Sequence, residues 1–120
     1  MRRNLLAAVA AMFLAFTGAA VAADQDFTLV NSTGFEIDQL FVSPHSSNNW
    51  GADVLGRDVL PTGRQTDISF PPNTRPCAWD LKVVYSDGGS ASWMNINLCS
   101  ISKVTLFYNR QTDVTRAVTE

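Results

Sequence analysis

The sequence predicts an all-β fold, a small antiparallel β-sandwich of about six or seven strands with one disulfide, preceded by a signal peptide. Three observations carry this. Short runs alternate apolar and polar residues with period two, and none shows the 3.6-residue period of a helix. Gly, Pro, Asn and Asp punctuate those runs at close intervals. The two cysteines, Cys77 and Cys99, both follow the leader, and an even pair in an oxidising compartment reads as a disulfide.

The leader is residues 1–23. Met1-Arg2-Arg3-Asn4 is a basic start, Leu5 to Phe16 is an uncharged apolar run, and small residues at Ala20-Val21-Ala22 or Val21-Ala22-Ala23 suit a signal peptidase. The run is too short to span a membrane, which takes about 20 apolar residues. Export places the product in the periplasm or outside the cell, by the general secretory route or, given Arg2-Arg3, the twin-arginine route. No membrane span is expected after cleavage. Residues 24–120 then form one domain of usual size. Removing Arg2 and Arg3 from nine basic residues leaves seven against 11 acidic ones, a net charge of −4. With no basic cluster, nucleic-acid binding and adhesion to anionic lipid are both disfavoured.

The elements follow in order. Asp24 to Asp26 are expected to fray. Phe27 to Asn31 is the first strand, and Ser32-Thr33-Gly34 the turn after it. Asn31-Ser32-Thr33 also matches an N-glycosylation acceptor, with the turn the preferred reading. Phe35 to Ser43 is the second strand. Phe35 and Ile37 share one face while Leu40 and Val42 share the other, so a bulge is expected near Asp38-Gln39. Pro44 to Gly63 is a long loop, with one helical turn expected between a cap at Asn49 and a stop at Gly56. Gln65 to Phe70 is the third strand. Pro71 to Pro76 connects sheets, because proline lacks the ladder donor. Cys77 to Tyr85 is the clearest strand: Cys77, Trp79, Leu81, Val83 and Tyr85 share the core face, and Asp80 and Lys82 point outward as a weak surface ion pair. Asp87-Gly88 turns the chain into a partner strand from Ser90 to Trp93. Ser102 to Tyr108 is the last strand, and 109–120 is expected to be a mobile tail. The disulfide closes a loop of about 20 residues, so it should contribute roughly 3 kcal/mol.

Candidate sites concentrate in the 44–63 loop. His45 is the only histidine, and a triad would need a nucleophile and a carboxylate beside it. Ser43, Ser46 and Ser47 are near in sequence but lack a Gly-x-Ser-x-Gly context. Asp53 and Asp58 flank Gly56. They either join carbonyls in a calcium site or hydrogen-bond loop amides, and calcium normally wants a denser set of oxygens. Trp50 beside Asn48 and Asn49 either stacks on a sugar or peptide or plugs the loop onto the body. Trp79 belongs to the core. The speculative ligand-binding residues are therefore Trp50, Asp53 and Asp58. No catalytic residue, metal ligand or cofactor is assigned.

Several stretches together resemble a family of small exported bacterial β-rich proteins. They are Phe27-Thr28-Leu29-Val30-Asn31-x-Thr33-Gly34, Ile37-x-x-Leu40-x-Val42-Ser43-Pro44, Trp50-Gly51-x-Asp53-Val54-Leu55-Gly56, Leu60-x-x-Gly63, Cys77-x-Trp79-Asp80-Leu81-Lys82-Val83 and Asn97-Leu98-Cys99. The resemblance implies a secreted β-rich domain. Members of that family sometimes carry the label argininosuccinate lyase. The lyase signature Gly-Ser-Ser-x-Met-Pro-x-Lys-x-Asn is absent here, so the label has no support in the residues. The expectation is a non-enzymatic binding or structural module, with a calcium- or carbohydrate-binding domain using the 44–63 loop as the alternative.

Overall fold

A computed structural model describes residues 21–120. The predicted leader lies outside the described residues except at 21–23. The strands are β1 (Phe27–Asn31), β2 (Ile37–Pro44), β3 (Gln65–Ile68), β4 (Ala78–Tyr85), β5 (Ser90–Asn97), β6 (Lys103–Asn109) and β7 (Val114–Thr119), with a 3-10 turn at Leu98–Ser100. They form two sheets in the orders β3-β1-β6-β7 and β2-β4-β5. The predicted β-sandwich is present, with one pairing of opposite sense: β1 and β6 run parallel, since the intervening chain visits the other sheet between them. Leu29, Ile37, Leu40, Leu81, Val83, Leu98, Val104 and Leu106 fill the space between the sheets. Among the described residues no helix is long and apolar enough to cross a membrane.

The expected bulge in β2 is there, as a register shift between Ile37 and Gln39. The disulfide joins Cys77 to Cys99 with Cα atoms 5.2 Å apart. The Leu98–Ser100 turn brings Cys99 round, and the bond lies at the rim because Cys77 is exposed.

Several expectations are overturned. The segment at Asp24 does not fray. Gln25 is buried and donates through Nε2 to Thr74 O at 3.1 Å and Pro76 O at 2.7 Å, while Asp26 Oδ1 accepts from Phe70 N at 2.8 Å. The 44–63 loop holds no helix. Asp53, not Asn49, caps its turn, by accepting from Leu55 N at 3.0 Å. The mobile tail at 109–120 is instead β7, paired with β6 along its whole length. The hairpin turn is fixed by Asn109, whose Oδ1 accepts from Gln111 N and Thr112 N. As an edge strand with few buried side chains, β7 needs little apolar pattern.

Asn31 decides its two readings. It is fully buried, and Nδ2 donates to Phe35 O at 2.8 Å and Leu60 O at 2.9 Å. Oδ1 accepts from Thr33 N and Thr33 Oγ1. Its amide holds the turn and has no room for a glycan in the folded chain.

At the Asp87–Gly88 end, Phe35, Tyr85 and Tyr108 pack edge-on or stacked. Arg110 lies 3.8 Å over Phe35 and binds Asp87 at 2.7 Å, which holds the Asp87 carboxyl below its ordinary range. The Tyr85 hydroxyl is sealed inside without a partner among the described residues, and burial pushes its pKa up to about 12. Thr33 pulls the other way, but its hydroxyl already donates to Asn31 Oδ1 at 2.6 Å. Tyr85→Phe therefore removes an unpaired polar group and is expected to raise stability by about 1 kcal/mol. Urea unfolding checks this, and a clear loss of stability would show that the hydroxyl is bonded in solution.

Candidate ligand site

A bulge in β5 builds the site. Trp79 pairs with Ile96, but Leu81 pairs with Trp93, so Met94 and Asn95 together face Asp80. The extra residue is accommodated by Asn95, whose φ of 55° lies in the left-handed region that asparagine tolerates better than most. The bulge points Asn95 N at Asp80 Oδ1, 2.8 Å away. From the other side, β2 continues past Pro44, and His45 N donates to Ala78 O. His45 Nδ1 then meets the same Asp80 Oδ1 at 2.8 Å.

The expected outward Asp80–Lys82 pair is not what forms. Asp80 is 4% exposed and its side-chain partner is the His45 ring, not Lys82. Alternation places Asp80 correctly on the outer face of β4, but the 45–50 segment folds over that face. Ser43, opposite Asp80 in register, donates to Asn49 O at 2.8 Å and pins the segment back. A carboxylate in mid-strand with a single histidine in the chain was the available signal, because a buried carboxylate needs a partner.

Both bonds land on Oδ1. Oδ2 accepts none among the described residues, nor is it one of the sealed polar atoms, which are Gln25 Oε1, Tyr85 OH and Trp93 Nε1. Asp80 lines a cavity of about 210 Å³ with Ser43, Ser47, Asn48, Asn49, Trp50 and Met94. Among the described residues no lysine or arginine lines it. The cavity thus offers one carboxylate oxygen, a half-buried indole, hydroxyls and amides.

The sequence-based trio does not converge. Trp50 is at this cavity. Asp53 is spent on backbone, since Oδ1 accepts from Leu40 N at 2.8 Å and Leu55 N at 3.0 Å, tying the loop to β2. Asp58 lies at a separate concavity beside β3. Among the described residues no three His, Cys, Asp or Glu side chains gather as a metal-binding group. His45 has the carboxylate that a triad requires, but no hydroxyl bonds to its ring among the described residues, and Ser43 Oγ is committed to Asn49 O. Comparison with protein families, curated proteins and solved structures finds no match.

Proposed function

We propose that the chain is an exported, non-enzymatic binding module that holds a neutral saccharide in the cavity between the 45–50 segment and the β5 bulge. One observation carries this reading: the buried Asp80 carboxylate keeps one oxygen open beside Trp50. A sugar ring supplies what that arrangement lacks. Its hydroxyls donate to Oδ2, its C–H face lies on the indole, and its remaining hydroxyls bond the amides of Asn48 and Asn49. Fixing Oδ1 with two donors pre-organises the acceptor, so little is lost on binding. The disulfide suits an oxidising compartment, in keeping with export.

A glycan array followed by calorimetry tests the reading. Trp50→Ala and Asp80→Asn are each expected to weaken binding about tenfold to a hundredfold, the effect of removing a central contact. Absence of any glycan ligand, or binding indifferent to both substitutions, would sink the proposal.

A further inference from the structure

We propose a second site: the concavity between the 54–61 loop and the free edge of β3 docks an extended peptide strand that bears a carboxylate. It stands apart from the Trp50–Asp80 cavity and does not depend on the saccharide reading.

The backbone directions come first. Thr28 N donates to Ser102 O, toward β6, so the alternate residues Phe27, Leu29 and Asn31 turn toward β3. Asn31 N accordingly donates to Arg64 O. Leu29 faces Thr66 and Phe27 faces Ile68, so the main-chain groups of Gln65 and Asp67 turn outward. β3 is the end strand of its sheet, and these groups line a concavity of about 530 Å³. Its far wall carries Val54 and Val59, which are 44% and 42% exposed. Arg57 and Arg64 also line it, and neither forms an ion pair among the described residues.

An extended peptide matches each part. Its main chain supplies alternating donors and acceptors to Gln65 and Asp67, as in strand addition at a sheet edge. Every second side chain reaches the valines. A carboxylate, at its C-terminus or on an acidic side chain, meets the two guanidinium groups. Asp58 and Asp67 line it too, the Asp67 carboxylate accepting from Thr28 Oγ1 at 2.8 Å. Neither pairs with the two arginines among the described residues, which leaves both guanidinium groups open to a ligand carboxylate. The other large concavity, about 500 Å³ between β5 and β7, is a poorer strand acceptor because the Asn95 bulge breaks its edge.

The test is an amide NMR titration of the oxidised protein with three probes. They are Thr-Val-Thr-Val-Val with a free C-terminus, its C-terminal amide, and acetyl-Thr-Val-Asp-Val-Thr-amide. The first and third distinguish a terminal from a side-chain carboxylate. Saturable shifts at the Gln65 and Asp67 amides are expected with at least one of these two, and about tenfold weaker binding of the neutral amide. The double variant Arg57→Gln/Arg64→Gln should lose about the same factor for the carboxylate probe only. Asp67→Pro should abolish binding and keep the fold, since it deletes an outward N–H on an edge strand. If that variant fails to fold, the arginine pair still decides. No saturable shift with either carboxylate probe, shifts located elsewhere, or self-association through this edge would overturn the proposal.

Discussion

Asn31→Ala is expected to cost about 3 kcal/mol of folding stability, a large effect for one polar side chain in a small domain. The reason is position. Asn31 ends β1, and its buried amide bonds the 33–35 turn and the carbonyl of Leu60 at once. Its own backbone accepts from Gly63 N at 2.6 Å and donates to Arg64 O at 2.9 Å. One residue thus fastens the end of the long loop to the sandwich. Alanine leaves Thr33 N without its acceptor, while Leu60 O keeps Ile37 N and Phe35 O takes the Thr33 hydroxyl that Asn31 Oδ1 releases. That remaining satisfaction is why the expected cost is not larger. Asn31→Asp separates the hydrogen bonds from the volume. It keeps the Oδ1 acceptor but sets a second oxygen against two carbonyls. Burial and those carbonyls raise the folded-state pKa of the new carboxyl above the unfolded value of about 3.9. The folded state then holds the proton more tightly than the unfolded one, so stability should fall as pH rises from about 4, a slope the alanine variant lacks. Urea midpoints across pH measure both. A loss below about 1 kcal/mol for Asn31→Ala would show that the turn finds other partners.

The strands facing one core were legible because alternation states which side of a strand is apolar. It gave β1, β3 and β4 close to their bounds, and the phase change between Ile37 and Leu40 marked the β2 bulge. The same signal stands in β5 and the turn after it, where Ala91 and Trp93 are buried at odd positions and Ile96 and Leu98 at even ones. That switch is the Met94–Asn95 bulge, and with it the donor that fixes Asp80. What alternation does not encode is the cover on the outer face. Asp80 is buried because Ser43 draws the 45–50 segment back over β4, a contact between side chain and loop carbonyl with no period in the sequence. For the same reason Trp50 could be named as a candidate from the sequence, but the Asp80 that shares its cavity could not. Asp53 follows the loop-amide reading open to it in the sequence: a short acidic side chain bonds nearby amides readily, and Asp53 does so here.

Replacing both cysteines, Cys77→Ser with Cys99→Ser, is expected to lower stability by about 2–4 kcal/mol and to leave the native fold in place. The two residues are separated by 22 positions, and the bond ties the start of β4 to the turn that follows β5. That end of the hairpin is also held by Leu98 N, which donates to Cys77 O at 2.8 Å, and by the Ala78–Asn97 pairing. The native hairpin therefore does not need the bond to keep its register. The unfolded chain does change: without the bridge it gains the freedom of an open loop. Two consequences follow that a purely local contact would not produce. The urea midpoint should fall while the slope of stability against urea rises, because a reduced chain exposes more surface on unfolding. The amide spectrum around Asp80 and Asn95, inside the same hairpin, should match that of the oxidised protein. If that spectrum changes while the slope stays constant, the bond acts on the folded hairpin itself. Its loss would then reach the Asp80 cavity through the β5 bulge.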